Sequence, residues 1–305
     1  MKPSSALPKV LSPVLTPFKA NGQPDAQRLI KQCQWLTTCG VGQAIFGTNS
    51  EANSMSSAQK MSLLDALASA GLNPGFLMPG TGACSIDEAS VLTQAAVKAG
   101  CAGVLVLPPF YYKDVSDEGL FAFFAQVIEH VGDDRLQMYL YNIPPVTKIP
   151  LSLALLTRLR QAYPNTVMGM KDSSGDWAYT EAVIQALAPT GFQVYAGSET
   201  FLLQTLRAGG AGCISATANI NPSAIARLAA TWQQSDAPTQ QAALDRVRST
   251  FAKFPMIPAM KSAVAHFGHD PEWQRVLPPL MALNPAQTEG LLLALEDIGF
   301  SIQGL

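Results

Sequence analysis

Charge is scarce in this chain. Only 14% of the 305 residues are Asp, Glu, Lys or Arg, and they nearly cancel at a net charge of −2. Basic and acidic residues are mixed throughout, so no basic stripe is available for a phosphate backbone or an anionic membrane surface. Neither nucleic acid nor membrane is an expected partner. Histidine is scarcer still: His130, His266 and His269 are the full set. The last two fall late in the chain without carboxylates at ligand spacing, and no metal site is expected. The five cysteines (Cys33, Cys39, Cys84, Cys101, Cys213) are odd in number and form no CxxC pair. They read as reduced, mostly core-filling thiols of an intracellular protein. No apolar run approaches the roughly 18 residues of a spanning helix, and the opening MKPSSALPKV lacks the apolar stretch of a signal peptide, so a cytoplasmic location is expected.

Several catalytic signatures are missing as well. Gly80-Thr81-Gly82 lacks the third glycine and acidic follow-up of a dinucleotide fingerprint, and no GxxxxGK[ST] occurs. No GxSxG elbow is present, which disfavours a serine hydrolase. Cys84 follows a predicted strand, but no histidine is evidently available to activate it. No cofactor is expected.

What the chain does have is apolar content, 48% of residues, arranged in a regular alternation. Short β-rich runs fall at 10–15, 43–46, 75–79, 103–107, 137–141, 167–171, 193–196 and 212–215. Amphipathic stretches lie between them, at 25–39, 56–70, 86–99, 116–131, 151–162, 176–188 and 199–208. Short continuous apolar strands suit sheets buried on both faces, and eight of them joined by helical crossovers predict a closed parallel (β/α)8 TIM barrel over residues 1–222. A doubly wound open sheet is the alternative. Beyond Ile220-Asn221-Pro222 only helical patterns remain, around 223–234, 237–252, 256–267 and 286–298. Residues 223–305 therefore read as a helical extension packed on the barrel.

A barrel places its chemistry at the C-terminal ends of its strands. Val167-Met168-Gly169-Met170-Lys171-Asp172-Ser173-Ser174-Gly175 ends an apolar run on a lysine. Most strand-end lysines reach out to water. One desolvated at a barrel mouth loses its preference for the charged form, and a neutral amine attacks a ketone to make a Schiff base. Tyr141 closes the run 137–141 on the same face as Tyr139, where its phenol can move protons to and from a carbinolamine. Gly47-Thr48-Asn49-Ser50-Glu51 follows the second run and enters a helix. Successive backbone N–H groups there can cradle a carboxylate, although the same residues make an ordinary helix cap.

Together these segments resemble the dihydrodipicolinate synthase/N-acetylneuraminate lyase family of class I aldolases. The resemblance spans the barrel. It runs from Thr16-Pro17-Phe18, Asn21-Gly22 and Asp25 through GTNSE (47–51, in place of GTTGE) and PPFYY (108–112) with Glu118-Gly119. It continues through YNIP (141–144) and GMKDSSG (169–175) to Gly209–Ser215 and Thr217-Ala218-Asn219. The resemblance implies a barrel with a C-terminal helical region, a homotetramer built as a dimer of dimers, and a pyruvate-like 2-oxo acid as small-molecule substrate. It makes Lys171 the Schiff-base lysine, Tyr141 the proton shuttle and Thr48 the relay hydroxyl. Tyr111 completes the relay across a subunit interface, with Tyr112 the competing choice because this loop is one residue longer than in the synthases. Gly47, Thr48 and Asn49 would hold the substrate carboxylate; Ser198, Glu199 and Ile214 join the substrate-binding set, the first two toward distal hydroxyls.

Two departures bear on function. Asn49 and Ser50 replace a hydroxyl residue and a glycine; an asparagine amide still donates to a carboxylate. Val146 stands where the lysine-pathway synthases place an arginine to clamp aspartate semialdehyde, and valine offers no charge-assisted hydrogen bond. The expected reaction is cleavage of a 2-keto-3-deoxy sugar acid to pyruvate and an aldehyde. Dehydration of such an acid, or condensation of the 4-hydroxy-tetrahydrodipicolinate synthase type, is the alternative. A non-catalytic 2-oxo-acid-binding protein is a third reading.

Overall fold

Short apolar runs become parallel strands because helices cover them from outside and side chains fill them from within. The computed structural model describes residues 7–305. Seven strands form one sheet: β1 (Val10–Ser12), β2 (Gly42–Gln43), β3 (Val104–Val106), β4 (Met138–Asn142), β5 (Val167–Asp172), β6 (Gln193–Ala196) and β7 (Gly212–Ile214). All pairings are parallel, in the order β2-β1-β7-β6-β5-β4-β3. The helices are α1 (Ala26–Thr38), α2 (Ser57–Ser69), α3 (Ile86–Lys98), α4 (Asp117–Val131), α5 (Pro144–Thr147), α6 (Leu153–Ala162), α7 (Trp177–Leu187), α8 (Leu202–Arg207), α9 (Pro222–Thr231), α10 (Ala237–Phe251), α11 (Met256–Phe267) and α12 (Pro285–Asp297). Polar caps set where crossover helices begin: Asp25, Ser56, Ser85, Ser116, Ser152 and Asp176 each accept a first-turn N–H.

The run expected as a strand at 75–79 behaves differently. Pro74–Phe76 wind into a 3-10 turn capped by Asn73, and pairing starts only at Leu77. Met78 and Gly80 donate to the Gln43 and Ile45 carbonyls at 2.9 and 2.7 Å, while Thr81 donates to Leu105 and Leu105 to Pro79, each at 2.9 Å. Pro79 has no N–H to return toward β3. The segment therefore joins Gln43 and Leu105 through isolated parallel bridges rather than a continuous ladder, touching both edge strands of the sheet.

Alternation sorts the side chains into two layers. Leu11, Ala44, Met78, Leu105, Tyr139, Tyr141, Tyr195 and Ile214 form one inner cluster. Val10, Val104, Val106, Met138, Leu140, Met170, Val194 and Cys213 join the larger core that the helices share. A third cluster unites α10, α11 and α12 with Leu15, Ala216 and Ile220, fastening the C-terminal helices to the ends of β1 and β7. No helix among the described residues is long and apolar enough to cross a membrane.

Candidate active site

Register brings the central pair together. On adjacent strands Tyr141 is aligned with Lys171, and Lys171 in turn with Tyr195. Gly169 lets β5 lie this close, since a Cβ there would stand 2.1 Å from the Gln193 carbonyl oxygen and 2.9 Å from the Tyr139 ring. Lys171 Nζ donates to the Tyr141 hydroxyl at 3.0 Å, and each residue is only 3% exposed. Burial pushes the Tyr141 phenol up. The charge of Lys171 and hydrogen bonds with Lys171, Thr48 and Ser173 outweigh that effect and hold it below the ordinary tyrosine value. Lys171 and Tyr141 thus meet near the C-terminal ends of β5 and β4, with Thr48 reaching Tyr141 from the loop after β2. Ser173 adds a hydroxyl that sequence reasoning passed over, although it lies two residues beyond the lysine.

Behind the pair a polar network ties β4 to β5. The Asn142 side-chain amide donates to Asp172 Oδ1 at 2.8 Å, and Asn142 Oδ1 accepts from Leu151 N at 3.0 Å. Asp172 also accepts from the hydroxyls of Ser174 and Thr180 at 2.8 and 2.5 Å. Every partner is supplied within two strands and the loop and helix that follow them, so the ends of both strands are fixed relative to one another.

The GTNSE loop is folded on itself. Gly47 N donates to Ser50 Oγ at 3.2 Å, and Ser50 N and Glu51 N donate to the Gly47 and Thr48 carbonyls, each at 3.1 Å. Thr16 Oγ1 holds the Ser50 carbonyl at 2.8 Å. The backbone N–H groups of Thr48 and Asn49 have no partner among the described residues, which leaves two adjacent donors for an anion. The serine that replaces glycine at position 50 thus serves the loop's own closure. Glu51 ends the loop in the left-handed region at φ 55°, and its carboxylate is bound by Lys261 of α11. Sequence reasoning missed Lys261, yet α11 reads MIPAMKSAVAHF, with a lysine in the middle of a mostly apolar helix.

Other predicted residues lie outside this hydrogen-bonded group. Tyr111 and Tyr112 are 74% and 73% exposed and meet edge to face, ring centroids 5.3 Å apart. Neither bonds to Tyr141 or Thr48 within the chain. Ile214 is fully buried in the inner cluster with Tyr141 and Tyr195. The Ser198 hydroxyl accepts from Thr200 N at 3.3 Å, capping a 3-10 turn. Glu199 is buried, bonded by the Ser215 and Thr217 hydroxyls, with Arg248 at 3.7 Å. Val146 is exposed on α5. All five cysteines are free; burial, followed by the nearby Glu199 carboxylate, drives the Cys213 thiol well above its ordinary value. No cluster of three or more His, Cys, Asp or Glu able to hold a metal occurs among the described residues.

A buried lysine and tyrosine beside two open amides is the arrangement expected of an imine-forming site, and comparison with known proteins agrees. The model of the dihydrodipicolinate synthetase family matches residues 6–297. The chain belongs to that family. It is 30% identical to an uncharacterized DapA-like lyase of Chloroflexus aurantiacus, over 95% of this chain and 96% of the relative. Among solved structures it resembles dihydrodipicolinate synthase from Agrobacterium tumefaciens, with 32% identity and a TM-score of 0.87 over 95% of this chain and 99% of that one. A prophage protein of the same family from E. coli K12, solved in complex with pyruvate, superposes with a TM-score of 0.88 at 27% identity, over 96% and 98% of the two chains. Like its family, this dihydrodipicolinate synthetase homologue is an enzyme of the Schiff-base (class I) aldolase and lyase type.

Proposed function

We propose that this enzyme makes or breaks a carbon–carbon bond between pyruvate and an aldehyde through an imine on Lys171. The observation that carries the reading is the buried Lys171 Nζ to Tyr141 hydroxyl contact of 3.0 Å. The substrate carboxylate sits on the Thr48 and Asn49 N–H groups. Lys171 attacks C2 in its neutral form; an N–C bond forms, and the former carbonyl oxygen leaves as water after Tyr141 relays it a proton. In the bond-making direction Tyr141 and Thr48 then take a C3 proton, and the enamine carbon attacks the aldehyde, whose oxygen gains a proton. In the reverse direction the protonated imine receives the electron pair of the C3–C4 bond.

The direction is supported by different observations. The synthase from Agrobacterium tumefaciens, at 32% identity, favours condensation. Val146 weighs against aspartate semialdehyde as the partner, because an exposed valine cannot clamp its carboxylate. Cleavage of a 2-keto-3-deoxy sugar acid is the same chemistry run backward, with Ser198 toward the distal hydroxyls and Ile214 beside the imine; Glu199, whose two oxygens are taken by Ser215 and Thr217, does not reach them. In this reading Leu77–Thr81 counts as the eighth strand of a closed barrel. Tyr111 acts in a second copy's site within a homotetramer.

Borohydride reduction in the presence of pyruvate tests the imine. The expected result is one pyruvate-derived mass addition on Lys171 and none in Lys171→Ala; labelling that persists in the variant contradicts the assignment. Pyruvate release from a panel of 2-keto-3-deoxy acids, beside pyruvate consumption with aspartate semialdehyde, then identifies the aldehyde half.

A further inference from the structure

Glu51 and Lys261, separated by 210 residues, form an ion pair with both side chains shut off from solvent. The imine chemistry uses neither. A buried ion pair is weak support for stability, since well-packed apolar residues of the same volume commonly serve as well. Its placement suggests another use. Glu51 Oε2 accepts from Leu277 N at 2.7 Å, and Lys261 Nζ also donates to the Arg275 carbonyl at 2.7 Å. The Phe18 ring lies 4.5 Å from the same nitrogen. Both carboxylate oxygens of Glu51 are therefore held by the C-terminal region. Glu51 is also the left-handed residue that turns the GTNSE loop, a conformation that costs any residue with a Cβ. Its N–H closes on the Thr48 carbonyl at 3.1 Å, so a shift of Glu51 moves the Thr48–Asn49 peptide directly.

We propose that Lys261 is a positioning residue for 2-oxo-acid binding. Through Glu51 it holds the loop in the shape that presents the Thr48 and Asn49 N–H groups to the substrate carboxylate. The inference rests on the reading of that loop as the carboxylate seat, and it makes the C-terminal helical region part of the site.

The test is the double variant Glu51→Gln/Lys261→Met, which leaves no charge buried without a partner. Two readouts use pyruvate alone: borohydride-trapped mass on Lys171 as a function of pyruvate concentration, and exchange of the pyruvate methyl protons for deuterium. Half-saturation is expected to rise about tenfold or more, while the exchange rate at saturation changes by less than about threefold. A pair that only stabilises the fold would lower the melting temperature and leave half-saturation unchanged, which overturns the proposal. If circular dichroism finds the double variant unfolded, Glu51→Asp, which keeps the charge pair but shortens its reach, carries the same comparison. An unsubstituted protein that traps no pyruvate on Lys171 overturns both readings, and is distinguished because that failure needs no substitution.

Discussion

Tyr141 sits at the chemical centre of the site without being the nucleophile. Its phenol is pushed up by burial but held below the usual value by Lys171, Thr48 and Ser173, which eases the loss of its proton relative to an ordinary tyrosine. Tyr141→Phe removes that capacity while leaving the amine and the open amides in place. Imine trapping on Lys171 is expected to slow but to reach its usual extent on long incubation, and deuterium exchange at the pyruvate methyl group to fall by about 10²- to 10⁴-fold, the usual worth of a positioned general acid–base. Equal loss of trapping and exchange would assign Tyr141 to holding Lys171 rather than to proton transfer.

At the scale of elements, the site depends on how closely β4, β5 and β6 approach where they run into their loops. Gly197, just after β6, makes one of these contacts: a Cβ there would stand 2.0 Å from Ser173 Oγ and 2.8 Å from the Asp172 carbonyl oxygen. Gly197 N donates to that carbonyl at 2.6 Å. Gly197→Ala must therefore push β6 away from the loop that carries Ser173. Its expected cost in urea unfolding is about 1–3 kcal/mol, as for other overpacked positions, together with a measurable loss of exchange activity. An unchanged midpoint would mean that Ser173 turns aside freely and that this junction is looser than its geometry indicates.

The whole molecule enters through Lys261, which connects the C-terminal helices to the loop that follows β2. Lys261→Met alone strands the Glu51 carboxylate in a buried place, and an expected loss of about 3–5 kcal/mol in urea unfolding follows; the double variant with Glu51→Gln should recover much of it. Burial lowers the Lys261 ammonium to about 8, with Glu51 offsetting part of the effect. An unfolded lysine titrates higher, so between these two values the unfolded chain binds the extra proton. The stability contributed by this group is fully present above the unfolded value and is lost as pH falls through about 8. Measured against the double variant, the unsubstituted protein should gain unfolding free energy as pH rises from 8 toward 10. A difference that stays flat with pH would exclude Lys261 as the titrating group.

Much of this was legible in the chain. Apolar runs and amphipathic stretches located nearly every strand and helix, because period and cap residues are local properties. Lys171, Tyr141 and Thr48 could be named together because ends of parallel strands gather on one side of a sheet, and the order of motifs along the chain preserves that gathering. The segment at 75–79 was misread, since composition does not reveal that Pro74 starts a 3-10 turn and that Pro79 withholds a donor from β3. The Glu51–Lys261 pair was invisible for a different reason: a contact 210 residues apart has no local period to announce it. Sequence alone thus determined the element order and singled out Lys171 as the amine for the proposed imine. Tertiary structure decided which distant charge meets Glu51, because only packing brings α11 against the left-handed turn there.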